Sequence, residues 1–176
     1  MADALTANPE AGVCFGDYIE TGKSEIVRAV PEDLDAYRLA YTNEYPVSSM
    51  FRRTLLEEVG GWPTMFGYED WHLWMTLVER GTVTVHLGEG VVTYRRRLHG
   101  NRMLRASKDI HGELYARLRN DHPRLFADLP AHRERSELSR VRKALYPFVY
   151  GGRRRYRWET HVKALLDRLG IWTLRR

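Results

Sequence analysis

Two adjacent carboxylates, Glu69 and Asp70, precede a tryptophan-rich apolar run in the segment FGYEDWHLWMTLVERG, residues 66–81. Acids at a helix start are stabilised by free backbone N–H groups and by the positive end of the helix dipole. One acid would suffice as a cap, and two acids at this position are more often structural than catalytic. A carboxylate beside a glycine loop (Gly67) and aromatic walls could also act as a general base toward a hydroxyl group. The residues alone leave both interpretations open.

A second group of candidate side chains follows the predicted strand VVTY, where His99 comes after three consecutive arginines, 95–97. Guanidinium groups bind phosphate oxygens and imidazole can ligate a cation, so this group suits a diphosphate or a metal–diphosphate complex. A solvated strand end with a surface histidine is the simpler interpretation. The other histidines show no metal-ligand spacing with one another, and we predict no zinc site.

The element that must position Asp70 is a helix predicted over 69–80. Its apolar residues follow the i, i+3, i+4, i+7 spacing of a buried helical face, widened by two leucines. These residues are Trp71, Trp74, Met75 and Val78, with Leu73 and Leu77. Gly81 ends the helix, and TVTVHL and VVTYRRR predict two strands after it.

The segments ahead of this helix alternate between strand and helix signals. They predict the tail of a helix in residues 1–12, a hairpin in 13–30, a helix from Pro31, a short strand YPVSSMF, and a helix in RRTLLEEV ended by Gly60-Gly61. After Asn101 all segments are helical in pattern. We therefore predict a boundary near residue 103, which separates an α/β domain, 1–103, from a helical extension, 104–176.

The composition indicates a folded protein, since 43% of the 176 residues are apolar and 11% are aromatic. No segment has the length of a membrane span or the pattern of a signal peptide, and the single Cys14 fits a reducing compartment as a small core residue, so we expect a cytoplasmic location. Residues 140–176 hold eleven Lys or Arg and two Asp or Glu, a net +9, which leaves −4 for residues 1–139. That basic segment either meets an anionic partner or solvates a helical face.

Four segments, in order, carry a resemblance to a known family: ANPEAGVCFGDYIETG, YPVSSMFRRTLLEEVGGW, GYEDWHLWMTLVERG and VVTYRRRLHGNRM. They resemble the second half of the catalytic domain of family 2 glycosyltransferases, over roughly residues 5–103. The resemblance implies a partial GT-A fold, in which helices sandwich a mixed sheet. It also implies inverting transfer of a sugar from a nucleotide diphosphate sugar to an acceptor hydroxyl of a glycan or lipid-linked saccharide.

The same resemblance assigns roles to individual residues. Asp70 would be the general base, and Glu69 would position the acceptor or tune Asp70. The implied substrate-binding residues are Trp71, Trp62, Arg95 and Arg97. His99 would help to hold a divalent cation, Mn²⁺ or Mg²⁺, with the diphosphate. The spacing in this chain is two residues longer than the family's Tyr-Arg-x-His, so either Tyr94-Arg95 or Arg97-x-His99 is in register.

The family's nucleotide-binding units and Asp-x-Asp metal motif would precede this chain. Asp33-Leu34-Asp35 has those letters, but no apolar strand lies ahead of it, and we interpret it as an acidic helix cap. We therefore expect this chain to be the acceptor-side half of an enzyme and to be inactive or poorly active alone. A missing N-terminal half or a separate chain would supply the donor site and its ligands for the cation.

Two other classes of function remain as alternatives. The chain could be a non-catalytic module that binds an acceptor glycan or a partner chain. Residues 140–176 could hold it on an anionic membrane, peripherally at the inner face. A nucleic-acid partner rests on basic charge alone, because no groove-reading or RNA-binding motif is recognisable, and we do not predict one.

Overall fold

The computed structural model describes residues 1–21, 25–88, 92–95, 110–150, 165–166 and 168–170. Its main helices are α1 Ala2–Ala7, α2 Ala36–Leu39, α3 Arg53–Glu58, α4 Glu69–Glu79, α5 His111–Asp121, α6 Pro123–Ala127, α7 Leu129–Arg135 and α8 Arg140–Tyr150. The strands are β1 Val13–Phe15, β2 Tyr18–Thr21, β3 Glu25–Arg28, β4 Met50–Phe51, β5 Thr84–His86 and β6 Val92–Arg95. The predicted α/β class is confirmed.

The strands form two small mixed sheets of three strands each. In the first sheet β1 lies between β4, to which it is antiparallel, and β5, to which it is parallel. In the second sheet β2 lies between an antiparallel β3 and a parallel β6. The predicted hairpin is confirmed as β2 and β3. The run ahead of its turn is divided between the two sheets, because the ladder breaks at Gly16-Asp17.

A buried carboxylate and a histidine join the two sheets at this break. Asp17 Oδ1 accepts a hydrogen bond from Val30 N at 2.8 Å and lies 3.0 Å from His86 Nε2. The N–H of Gly88 donates to His86 Nδ1 at 3.1 Å. Because Nδ1 accepts, the ring proton of a neutral His86 lies on Nε2 and is donated to Asp17. Both ends of the imidazole are therefore used to connect β1 with the chain that follows β5.

The start of α3 places two arginines in different surroundings. Arg52 donates to three backbone carbonyl oxygens at the end of α1 and just beyond it, at 2.5 to 3.1 Å. Arg53 is exposed and pairs with Glu57 on the helix surface at 2.7 Å. Gly60 and Gly61 have φ of 88° and 87° and end α3 as predicted. Arg52 thus connects the end of α1 to the start of α3.

The helix α4 is the centre of the core, and its predicted apolar face is confirmed. Its buried residues are Trp71, Leu73, Trp74, Met75 and Leu77, while Val78 is partly buried against them. The Trp74 ring contacts three aromatic rings from β1, the Tyr45 loop and β4, at 5.2 to 5.8 Å between centroids. Cys14 is fully buried, as predicted. α4 therefore packs on the first sheet with one side and on other helices with the rest.

The helix predicted from Pro31 begins five residues later than expected. Asp35 is the N-cap of α2, and its Oδ1 accepts from Arg38 N at 3.0 Å. The Tyr45 hydroxyl accepts from Asp35 N at 2.8 Å and donates to Asp33 O at 2.6 Å. The backbone ahead of α2 is therefore bonded to a side chain instead of to a helical turn. The interpretation of this acidic segment as a cap is confirmed for Asp35.

The helices after residue 110 share the core with the residues before 96. Leu114, Tyr115, Leu118 and Leu125 belong to one cluster with the buried residues of α4. The predicted boundary near residue 103 lies outside the described residues and stays a prediction. None of the described helices is long and apolar enough to cross a membrane.

The α5–α6 junction is bonded to α4 at two points, and a histidine takes part in each. His122 Nδ1 lies 2.8 Å from Glu79 Oε2, and Leu125 N donates to Glu79 Oε1 at 3.0 Å. His72 Nε2 lies 3.5 Å from Asp121 Oδ2, and the two imidazole rings are 4.6 Å apart. Paired imidazoles and carboxylates thus fix α4 at His72, in its first half, and at Glu79, its last residue.

Candidate functional site

The backbone turns sharply just before the Glu69-Asp70 pair. Gly67 and Tyr68 have φ of 66° and 61°, in the left-handed region. Glycine adopts this region without penalty, whereas tyrosine does so at a cost, which the surrounding contacts must offset. The turn ends at Glu69, so Asp70 enters the first turn of α4. A strained residue beside a candidate catalytic carboxylate is typical of functional sites.

The carboxylate of Asp70 is held on both oxygens. Oδ1 accepts from Trp71 N at 2.8 Å, and Oδ2 accepts from Asn43 Nδ2 at 3.0 Å. Asn43 is itself oriented, because its Oδ1 accepts from Tyr45 N at 3.0 Å and leaves its NH₂ group toward Asp70. The loop ahead of β4 therefore positions the side chain at the start of α4.

The surroundings of Asp70 act on its protonation in opposite directions. Burial raises the pKa of Asp70 above its ordinary value, and the nearby charge of Glu69 adds to the rise. The hydrogen bonds from Trp71 N and Asn43 stabilise the ionised form and lower the pKa. The net direction is upward. A partly buried carboxylate with a raised pKa is suited to accept a proton from a substrate hydroxyl group.

Two buried aromatic residues, Trp71 and Tyr115, support the first turn of α4. The indole N–H of Trp71 donates to Leu39 O at 2.7 Å, and Tyr115 OH donates to Ala40 O at 2.7 Å. The rings of Trp71 and Tyr115 lie 5.8 Å apart. These bonds join α4, the end of α2 and α5, so that the first turn of α4 has little freedom to tilt.

The strained residue Tyr68 is anchored by α5. Its hydroxyl lies 2.6 Å from Nδ1 of His111, within hydrogen-bond distance, and its ring lies 5.1 Å from the Trp71 ring. Burial lowers the pKa of His111. The left-handed turn ahead of Asp70 is thus supported by a residue from the segment that follows the predicted domain boundary.

The structure brings some of the predicted site residues together. Glu69, Asp70 and Trp71 share the first turn of α4, but Trp71 is only 5% exposed, which favours a supporting role over contact with substrate. Trp62 is 40% exposed and packs edge-on against Phe51 of β4, with 6.0 Å between ring centroids. Its predicted contact with substrate stays a prediction.

Of the residues predicted to bind a diphosphate, the structure describes only the backbone of Arg95. The backbone of Arg95 lies in β6, opposite Thr21 of β2. Arg97 and His99 lie outside the described residues, and their predicted roles stay predictions.

The described residues do not supply a cation site. Within the described ranges, no group of three or more His, Cys, Asp or Glu side chains is arranged to hold a metal ion. Asp35, in the Asp-Leu-Asp segment, uses both carboxylate oxygens elsewhere, since Oδ1 accepts from Arg38 N and Oδ2 accepts from Ser136 Oγ at 2.6 Å. That segment does not fit a divalent cation. The Asp-Leu-Asp segment lines a cavity of about 300 Å³ between α2 and α7. Asp70 is not among the residues that line this cavity.

Two residues that support the site, Asn43 and His111, were not predicted from the sequence. Asn43 is 27 residues from Asp70 in a loop, and nothing in the local sequence pattern links the two. The only signal was a polar side chain just ahead of Tyr45-Pro46, where a turn is expected. His111 lies at the start of a predicted helix and showed no metal-ligand spacing, so its hydrogen bond to Tyr68 had no sequence signal.

A comparison of the chain with protein-family models, with curated proteins and with solved structures found no match.

Proposed function

We propose that the chain is the acceptor-side part of an inverting glycosyltransferase with a GT-A-like fold. It would transfer a sugar from a nucleotide diphosphate sugar to an acceptor hydroxyl of a glycan or lipid-linked saccharide. The proposal rests on the four ordered segments that resemble family 2 enzymes and on the surroundings of Asp70. The mixed sheets with packed helices are compatible with such a fold.

One observation carries the proposal, the bonding of the Asp70 carboxylate. A general base needs a fixed position, a pKa tuned by burial, and access to the proton that it removes. Asp70 is held by Trp71 N and Asn43, its pKa is raised by burial, and it remains partly exposed. The bond from Asn43 fixes the Asp70 side chain from a loop 27 residues away in sequence.

In the proposed reaction Asp70 removes the acceptor hydroxyl proton while the acceptor oxygen attacks the anomeric carbon. The bond from that carbon to the diphosphate oxygen breaks on the opposite face, so the sugar configuration inverts. Glu69 keeps the proton affinity of Asp70 high through like-charge proximity. Trp62 offers an exposed aromatic ring on which a sugar could stack.

A divalent cation, Mn²⁺ or Mg²⁺, would neutralise charge on the departing diphosphate when bound. Since the described residues do not fit such an ion, the proposal takes its ligands from the donor half that the family resemblance implies, together with His99.

The experiment compares Asp70→Asn with Asp128→Asn, a matched control at an exposed carboxylate on another helix junction. Each variant is purified alone and also co-expressed with a separate donor-half chain that carries an Asp-x-Asp motif. Release of nucleoside diphosphate is measured with a panel of nucleotide sugars, Mn²⁺ and glycan acceptors. We expect Asp70→Asn to lose about 10²–10⁴-fold in turnover and Asp128→Asn to match the parent.

Three results would contradict the proposal. They are full turnover in Asp70→Asn, no release from any donor in either preparation, and equal loss in both variants. Turnover separates the non-catalytic alternative, because a binding module would bind acceptor glycan, as titration calorimetry would show, without a nucleotide sugar being consumed in either preparation.

A further inference from the structure

Two imidazole rings lie side by side where α4 meets the α5–α6 junction. His72 belongs to α4, and His122 is the residue between α5 and α6. The ring centroids are 4.6 Å apart and the ring planes are inclined by 67°. His122 is 2% exposed, and the side chain of His72 is 24% exposed. We call these two residues the histidine pair.

One nitrogen of each ring faces a carboxylate. His122 Nδ1 lies 2.8 Å from Glu79 Oε2, while Glu79 Oε1 accepts from Leu125 N. His72 Nε2 lies 3.5 Å from Asp121 Oδ2. An ionised carboxylate can only accept, so each neutral imidazole carries its proton on the nitrogen that faces the acid. His72 Nδ1 and His122 Nε2 therefore carry lone pairs.

These two remaining nitrogens are buried without a partner. Within the described ranges, no hydrogen-bond donor reaches His72 Nδ1 or His122 Nε2. A buried acceptor without a donor costs free energy, and in native proteins such a group commonly binds an ordered water molecule or an ion. Two such acceptors on neighbouring rings point to one shared ligand, which is either a water molecule or a metal ion.

The chemistry of the pair favours a metal ion. A histidine that binds a metal usually donates its other ring N–H to a carboxylate, which orients the ring, and both members of the pair have this arrangement. Neutral imidazole suits Zn²⁺ and similar transition ions, whereas Mg²⁺ and Ca²⁺ prefer oxygen ligands. A Zn–N bond is about 2.0–2.1 Å long, so an ion bound to both rings would hold them near their present separation.

We propose that His72 Nδ1 and His122 Nε2 bind one divalent transition ion of the Zn²⁺ class, with Glu79 and Asp121 orienting the rings. The pair supplies two protein ligands, since no group of three exists within the described ranges, and water would complete the coordination. The ion would fasten α4 to the α5–α6 junction. This inference does not depend on the proposed transferase activity, and the sequence gave no sign of it because the two histidines are distant along the chain.

The first test measures metal binding by the parent chain after treatment with EDTA and dialysis. Calorimetric titration with ZnCl₂ at neutral pH should give one bound ion per chain. We expect about a 100-fold excess of Mg²⁺ to leave the bound Zn²⁺ in place, because nitrogen ligands do not favour Mg²⁺. Absence of Zn²⁺ binding, or displacement of Zn²⁺ by Mg²⁺, would overturn the proposal.

The second test compares His72→Gln with His132→Gln. The control replaces a partly buried histidine of α7 that does not belong to the pair. We expect His72→Gln to bind Zn²⁺ at least about tenfold more weakly than the parent, and His132→Gln to match the parent. Circular dichroism confirms that both variants are folded. Equal affinities in the two variants would overturn the proposal, because the bound ion would then lie elsewhere.

Nitrogen NMR of the parent chain tests the pair without any substitution. In the metal-free chain, His72 Nδ1 and His122 Nε2 should have the chemical shifts of unprotonated imidazole nitrogens. Addition of Zn²⁺ should move the signals of these two nitrogens together. Zn²⁺-dependent shifts confined to other histidines would overturn the proposal. Unchanged signals for the pair at saturating Zn²⁺ would also overturn it, in favour of a buried water molecule.

Discussion

The pKa of Asp70 is set by two pairs of opposing effects. Two hydrogen bonds favour its ionised form, while burial and the neighbouring Glu69 favour the protonated form, and the second pair of effects prevails. If Asp70 is the base, the ionised form is the active one. Activity is then present above the raised pKa of Asp70 and is lost as the pH falls through it.

Replacement of Asn43 by alanine tests the bond that opposes this rise. Asn43→Ala removes the donor to Oδ2, so the pKa of Asp70 should rise further. Carbon-detected NMR titration of the Asp70 carboxyl group measures the change.

The matched control is Asn8→Ala, which removes a hydrogen-bonded asparagine at the end of α1, where Nδ2 donates to Ala4 O at 2.9 Å. We expect no change in the Asp70 titration in that variant. An Asp70 pKa that stays the same in Asn43→Ala would show that the bond does not act on the ionised carboxylate.

At the residue scale, the sequence pointed to Asp70 because two acids ahead of an apolar helix form a local pattern. It could not point to Asn43, since the bond joins a loop and a helix start that come together only in the fold. It also could not separate Trp71 from Trp62 as substrate contacts. The difference between a buried and an exposed tryptophan depends on which elements cover each one.

At the element scale, α4 was predicted almost to its ends and α2 was not. The period of apolar residues in α4 matches its burial, so local and tertiary preferences agree. The region before α2 carries equally good helix signals, Pro31 followed by acids. The Tyr45 hydroxyl bonds that backbone on both sides of Leu34 and keeps it out of the helix.

The two arginines at α3 allow a prediction with a built-in control. Arg52→Ala would leave three backbone carbonyl oxygens near α1 without their charged donor, so we expect unfolding to cost about 2–3 kcal/mol less than in the parent. Arg53→Ala removes an exposed pair with Glu57 and should change the stability by no more than about 0.5 kcal/mol. Urea denaturation at neutral pH measures both. Similar values for the two variants would contradict the role given to Arg52.

At the scale of the whole molecule, the described helices after residue 110 hold both ends of α4. Tyr68 and His111 meet at its start, and His122 and Glu79 meet at its end. Sequence patterns gave the helical character of this region but not its docking, because docking depends on contacts between distant side chains. These contacts imply that the helices after residue 110 help to position Asp70.

Two histidines in the contacts between α4 and the helices after residue 110, His72 and His111, predict how stability depends on pH. Burial lowers the pKa of His72, with the nearby His122 adding to the effect against the opposing charge of Asp121, and burial also lowers the pKa of His111. Below an ordinary value of about 6.5 the unfolded chain binds protons that the folded chain does not. The free energy of unfolding should therefore be fully retained above that pH and fall as the pH decreases below it.

Urea unfolding at pH 7 and pH 5 tests this dependence. His72→Gln/His111→Gln should lose less stability between these two pH values than the parent, because the two titrating groups are gone. A double variant with the same loss as the parent would assign the pH dependence to other groups.

The role proposed for Asp70 is tested by comparing the pH profile of sugar transfer with the titration of Asp70 itself. The profile of kcat/KM is measured for the parent and for Asn43→Ala, under the conditions in which transfer is observed. We predict that activity falls on the acid side at the pKa that NMR gives for Asp70, and that both move upward together in Asn43→Ala. An acid-side fall that stays in place while the Asp70 pKa moves would contradict the claim that Asp70 is the catalytic base.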